Sequence, residues 1–399
     1  MSGNSSWEGK RWQPTWAQAM TDFRGEVEEP PFADVTVRMT VPASIGGRYV
    51  RAELSNRFGD EPVPIGSGAI GVRDRFLRIA FDGEYSAEIP AGESRWTDPV
   101  ALTVRHGDDV VIDLYLPKPT PYTTGNGFRF QRSTPGDFVG ARTFPQEGPT
   151  PVKVGESGEI RATSNDRPVE LDGTGWSLPS GGPFLRTIEV AGVEARAVVV
   201  CLGASSTAMG WPQYAAALLP VEVGIAFVNR GIPGNRIRLD APQSIPSWGR
   251  AGLSRFDEDV LATHGATHVV IAYNSNDWCL PGGVTPLEEM PSVAQMVNAY
   301  QELIDRAQAS GLRVILATVT PLSPELAADP RPESFRRALN DWIRTSSHEF
   351  VDFDAAIRSE TNPSHLEDKY AAPDHTHPNV DGEKRLAQAM VDLIKRLGV

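Results

Sequence analysis

The sequence predicts two domains of different grammar: a β-sandwich or jelly-roll domain over residues 1–185, then an α/β domain over 186–399 whose parallel sheet lies between two layers of helices. Three observations carry this reading. The 399 residues exceed the usual span of one domain. Short β-rich runs broken by Gly, Pro, Asn and Asp fill 33–134, without a helical period. From Arg196 onward, apolar β-rich runs alternate with amphipathic segments at helical spacing.

In the first region the runs are ADVTVRMTV, GRYVRAEL, FLRIAF, VALTV, DVVIDLYL and GFRFQ. Val35, Val37, Met39 and Val41 alternate with other residues, which puts apolar side chains on one face, and the turn spacing suits a sandwich. Residues 135–180 are rich in Gly, Pro, Ser and Thr and read as a long connection or insertion around a few strands. The second region runs AVVVCLG, a helix over 214–219, VGIAFVN, a helix over 255–263, THVVIAYN and a helix over 292–310. It continues with RVILATVTPL, a helix over 333–346, FVDFDA and a last helix over 382–397. Five apolar runs separated by helices argue for a parallel sheet covered on both faces.

Composition narrows the partners. Lys and Arg number 38 against 51 Asp and Glu, a net charge of −13 that repels a phosphate backbone, so nucleic acid is not an expected partner. With 40% hydrophobic and 22% charged residues the chain is of globular type. Cys201 and Cys279 are the only cysteines, too few for a disulfide framework or a four-cysteine zinc site. No apolar run is long enough to span a bilayer, and MSGNSSWEGKRW has no apolar signal core, so a soluble, cytoplasmic protein is expected.

Ligands of open α/β sheets bind at the carboxyl ends of the strands, and those ends are polar here. The first strand runs into Gly203-Ala204-Ser205-Ser206-Thr207, the second into Gly231-Ile232-Pro233-Gly234-Asn235-Arg236, the third into Asn274-Ser275-Asn276-Asp277. Asp374-His375-Thr376-His377-Pro378 precedes the last helix. A serine at a strand-to-helix turn, a histidine, and an acid able to fix its tautomer are the parts of nucleophilic acyl transfer. Each has a plainer reading: Ser205 as a helix cap, Gly234 as loop geometry, Asn276 and His377 as local hydrogen-bonding residues. Their joint placement in the loops expected to line one site favours chemistry. No G-x-S-x-G elbow surrounds a serine, and Asp374, His375 and His377 lack a second ligand group, so neither an α/β-hydrolase elbow nor a metal site is expected.

These blocks, together with ATVTPL, ALNDWIR and FVDFDAAIR, resemble the SGNH hydrolases, the GDSL-like lipases and acylhydrolases, over about residues 190–399. The β-rich region is similar to the accessory domain of one branch of that family. The resemblance implies a flavodoxin-like α/β/α fold and a carboxylic-ester hydrolase needing no metal or organic cofactor. It implies Ser205 as nucleophile, His377 and Asp374 as its partners, and an oxyanion hole from Ser205, Gly234 and Asn276. Two positions depart from the family pattern: Ala204 replaces the usual Asp before the nucleophile, and Asn274 replaces the usual Gly of the third block. Asn274, with Trp211, Trp248 and Trp278 near the first three blocks, makes up the candidate substrate-binding set. The expected substrates are small short-acyl esters, acetylated carbohydrates foremost. A catalytically silent carbohydrate-binding or scaffold protein and an acyltransferase are the alternatives that the residues admit.

Overall fold

The computed structural model describes residues 7, 9–28, 32–146, 151–154, 159–161 and 181–399. Much of the connection expected over 135–180 lies outside them. The described residues form two compact units, one up to Arg196 with 221–226, the other comprising 197–220 and 227–399.

The first unit is built on antiparallel sheets. One has four strands in the order Trp12–Ala17, Leu185–Ala191, Tyr49–Ser55, Ser94–Trp96. A second has five, in the order Gln131–Arg132, Val35–Pro42, Asp109–Leu116, Ser67–Val72, Arg75–Arg78. Val35, Val37, Met39 and Val41 are all buried, as their alternation implies. The opposite face is not left to solvent. Arg38 and Asp113, facing each other across the ladder, form a buried bidentate pair at 2.7 Å, and Asp113 also accepts the Gly140 N–H. The guanidinium lies over the rings of Phe76 and Phe144, so the turn around 137–144 covers this face. Leu185–Ala191 pairs on both sides within the first unit, which therefore extends past the boundary at 185 that the sequence suggested.

A further sheet is formed by β1 (Ala197–Gly203), β2 (Ile225–Gly231), β3 (His268–Ala272), β4 (Arg313–Ala317) and β5 (Glu349–Val351), in the order β2-β1-β3-β4-β5. The ladders β1/β3, β3/β4 and β4/β5 are parallel. Of the three interior strands, β1 and β3 are buried at every position, which is why they read as unbroken apolar runs. Helices connect them: α1 (Ser205–Ala208), α2 (Trp211–Leu218), α3 (Gly252–Phe256), α4 (Asn276–Cys279), α5 (Val293–Ala309), α6 (Pro324–Ala328), α7 (Pro330–Thr345), α8 (Phe353–Ile357) and α9 (Val380–Leu397). Helix α5 opens on a capping box in which Ser292 and Gln295 bond each other's backbone N–H at 3.2 and 2.8 Å. Its buried stripe of Met296, Tyr300, Leu303 and Ala307 joins Val200, Leu202, Val269 and Ile271 in one core cluster. Helix α9 is capped by Asn379 and ends on Gly398 at φ 67°, and it packs on α2, α8 and β5. The helix expected over 255–263 is α3 followed by a π-turn over Asp257–Leu261.

Candidate active site

Three turns at the carboxyl ends of β1, β2 and β3 and the turn before α9 supply the candidate residues. Ser205 opens α1 directly after β1, so its N–H is among those that a helix leaves unpaired. The tight turn is made possible by two glycines. A Cβ on Gly203 would meet Thr207 Oγ1 at 2.2 Å, and one on Gly231 would meet Ala208 N at 2.3 Å. Ala204 is buried in the apolar cluster with Leu202, Ile237 and Tyr273, so the position before Ser205 carries no carboxylate.

His377 comes to Ser205 from 172 positions away, its Nε2 at 2.8 Å from the Ser205 Oγ. On the other side of the ring, Nδ1 lies 2.6 Å from Asp374 Oδ2. Asp374 Oδ1 accepts the N–H groups of Thr376 and His377, both at 3.1 Å, which ties the carboxylate to its own turn. Burial alone would raise the Asp374 pKa, yet the hydrogen bond and charge of His377 with the two backbone donors hold it below the usual carboxylate range. His375, between them, is exposed and has φ 49°. Its side chain makes no hydrogen bond among the described residues.

Gly234 sits in the turn after β2 at φ 72°, a conformation costly for any other residue. Neither the Gly234 N–H nor the Ser205 N–H donates to an acceptor among the described residues. Asn276 opens α4, and its Nδ2 donates to the Asn235 carbonyl at 2.9 Å, fastening the third turn to the second. Asp277 reinforces the link by accepting the N–H groups of Ile237 and Arg238 at 2.8 and 3.1 Å. Burial pushes the Asp277 pKa up to about 6 against the pull of those two donors.

The candidate substrate-binding set divides. Trp248 is half-buried and lies against Gly234. Asn274 uses its amide on the chain itself, donating from Nδ2 to Ser206 Oγ at 2.5 Å and accepting from Thr320 Oγ1 at 3.4 Å. Trp211 and Trp278 are buried in packed clusters. Trp211 is fully buried edge-on to Phe353, and Trp278 is buried and stacked on Phe335 with centroids 4.6 Å apart. Each belongs to a helix whose inward face is filled by the largest available side chain, so nearness in sequence to a catalytic block put neither on the site. Asn235 and Asp277, which hold the turns together, escaped the sequence reading. Both immediately follow candidate oxyanion residues, and that adjacency was the available signal. Among the described residues no cluster of His, Cys, Asp and Glu could hold a metal ion, and no helix is long and apolar enough to cross a membrane.

A sheet of this order with helices between its strands is the fold of an SGNH-type α/β domain, and it brings Ser205, His377 and Asp374 together at the carboxyl ends of the strands. Residues 190–385 match the model of the GDSL-like lipase/acylhydrolase family, so this region is a GDSL-like domain, that of a carboxylic ester hydrolase. Among solved structures, it is similar to an acetylxylan esterase of Geobacillus stearothermophilus, at 23% identity over 51% of this chain and 95% of the other, TM-score 0.40. It is also similar to a carbohydrate acetylesterase of Sinorhizobium meliloti, at 18% identity over 51% and 100%, TM-score 0.38. A GDSL-like lipase of Bacteroides thetaiotaomicron matches at 20% identity over 50% and 88%, TM-score 0.38. No curated protein matches the chain.

Proposed function

We propose that the protein hydrolyses short acyl esters, acetylated carbohydrates foremost, through Ser205, His377 and Asp374. The observation that carries this is the unbroken chain from Ser205 Oγ through the His377 ring to Asp374, with spacings of 2.8 and 2.6 Å. With its Nδ1–H donated to Asp374, the imidazole turns the Nε2 lone pair to the serine hydroxyl. His377 then takes the Ser205 proton as Oγ attacks the ester carbonyl, and returns it to the alcohol that leaves. Water repeats the sequence on the acyl-enzyme, releasing the acid and restoring Ser205.

The charge that develops on the carbonyl oxygen falls to the N–H groups of Ser205 and Gly234 and to the Asn276 amide. One such donor is typically worth about 3 to 4 kcal/mol in the transition state. The half-buried indole of Trp248, against Gly234, offers a ring face suited to a sugar beside the scissile bond. All of these groups are amino-acid side chains or backbone amides, and the sequence of steps needs nothing further.

Hydrolysis of a chromogenic acetate ester by the protein and by Ser205→Ala tests the assignment. The variant is expected to lose at least about 1000-fold in kcat/KM while melting within a few degrees of the parent. Undiminished turnover would exclude Ser205 as nucleophile.

A further inference from the structure

We propose that Arg255 is a positioning residue that sets the geometry of the oxyanion hole. The proposal rests on the reading of Ser205, Gly234 and Asn276 given above. Arg255 lies on α3, away from the serine–histidine chain, with its side chain only 3% exposed. A buried guanidinium is costly unless each of its five N–H groups finds an acceptor. Here all five do. Nε donates to Asn235 Oδ1 at 3.0 Å, Nη1 to the Arg230 carbonyl and Asp259 Oδ2, both at 2.8 Å, and Nη2 to the Gly203 carbonyl and Tyr273 Oη, both at 3.0 Å.

The identity of those acceptors gives the group its role. Gly203 ends β1 two residues before Ser205, Arg230 lies near the end of β2, and Tyr273 follows β3. One rigid fork thus spans the ends of the three strands that deliver the candidate site. Asp259, one turn along, neutralises its charge. An ion pair needed only for stability would not require the other four acceptors to come from two strands and from the loops after β2 and β3.

Asn235 is the link to the reacting groups. Its Oδ1 takes both Arg255 Nε and the Tyr273 hydroxyl, at 3.0 Å each, and its Nδ2 donates to the Trp248 and Arg250 carbonyls at 2.7 and 2.8 Å. The side chain therefore has no freedom to turn. Its main-chain carbonyl is the acceptor for Asn276 Nδ2, and its peptide neighbour is Gly234. Two of the three oxyanion donors hang on this residue, and Arg255 fixes it. Lysine cannot substitute, because an ammonium has three donors on a flexible stem and lacks the planar fork.

The test compares the full chain with Arg255→Lys and Tyr273→Phe, with kcat expressed per site titrated by a fluorophosphonate. For Arg255→Lys, kcat per titrated site is expected to fall about 30- to 100-fold with KM within threefold, because the lost geometry acts on the transition state. The rate of fluorophosphonate labelling falls in parallel, since that reaction also builds charge in the oxyanion hole. The shape of the pH profile stays as in the parent, because Arg255 does not touch His377 or Asp374. A merely structural role would lower the melting temperature and the number of active sites but leave kcat per site unchanged, and that result overturns the proposal. If Arg255→Lys fails to fold, Tyr273→Phe decides. It removes one bond to the fork and one to Asn235 while keeping the ring, and about a 5- to 20-fold fall in kcat per site is expected. Unchanged kcat per site overturns the proposal there too. Should Ser205→Ala remain active, the underlying reading fails. Should Ser205→Ala be inactive and both other variants retain full kcat per site, the Arg255 assignment alone falls.

Discussion

The Trp248 indole is packed so closely on Gly234 that a Cβ built on the glycine would come within 2.2 Å of Cδ2 and 2.3 Å of Cγ. The glycine is thus demanded twice, by its φ of 72° and by the ring that covers it. Gly234→Ala is expected to cost about 1 to 2 kcal/mol through the backbone alone and to swing the indole away. Its kcat should fall about 10- to 100-fold as the N–H at 234 leaves its line to the oxyanion. Adding Trp248→Ala makes room for the methyl group but leaves the strained φ, so turnover should recover only in part. Full turnover by the single variant would remove the Gly234 N–H from the oxyanion hole.

The two histidines of the last turn should behave as opposites. His375 is exposed at φ 49°, so His375→Gly is expected to hold or raise the melting temperature, gaining up to about 1 kcal/mol, with turnover within twofold. His377→Ala and Asp374→Asn interrupt the chain to Ser205 and should each lose about 1000- to 10,000-fold in kcat. Steady-state kinetics on one ester suffices. A dead His375→Gly beside a live His377→Ala would reverse the assignment.

Glu383 makes stability depend on pH. It is wholly buried on α9, with one carboxyl oxygen accepting the Trp211 N–H at 2.7 Å, and burial drives its pKa well above the ordinary value. A carboxyl whose folded pKa is raised favours folding fully only below its unfolded pKa of about 4.3. From there that contribution is lost at up to about 1.4 kcal/mol per pH unit until the folded pKa is passed. Glu383→Gln keeps an oxygen for Trp211 and cannot ionise. Urea unfolding of both proteins at pH 5 and pH 8 should show the variant gaining relative to the parent as pH rises. An equal difference at the two pH values would mean that the carboxyl does not titrate across this range.

Asn274 joins Ser206, the residue after Ser205, to Thr320 beyond β4. Asn274→Gly removes both bonds and adds backbone freedom, and should cost about 1 to 2 kcal/mol. Turnover is expected to fall by less than tenfold, because Ser205 itself keeps its partner. A loss as large as that of Ser205→Ala would place the Asn274 amide on the reacting ester instead.

The parallel sheet was legible because interior strands must be apolar on both faces, so AVVVCLG and THVVIA advertise themselves within a few residues. The serine, glycine, asparagine and histidine turns were legible as polar loops in fixed order. Leu185–Ala191 was misplaced because its partners, Trp12–Ala17 and Tyr49–Ser55, lie more than a hundred residues away, and no local pattern records such pairing. Arg255 and Glu383 were invisible for a related reason. A charged residue on a short amphipathic segment reads as a solvated face, and only the packed structure shows that its partners are carbonyls, a phenol and a backbone amide from other elements.

The 172 positions between Ser205 and His377 impose a timetable on biosynthesis. At 5 to 20 residues per second, the serine leaves the ribosome roughly 10 to 30 seconds before its base is made. On the roles proposed for Ser205 and His377, the nascent polypeptide carries an ordinary alcohol throughout that interval. The turn that carries His377 leads into α9, which is anchored by the buried Leu386, Met390 and Ile394, so on the proposed roles Ser205 acquires its base only once α9 is docked. The proposed mechanism thus makes ester cleavage a report that translation has reached the final helix.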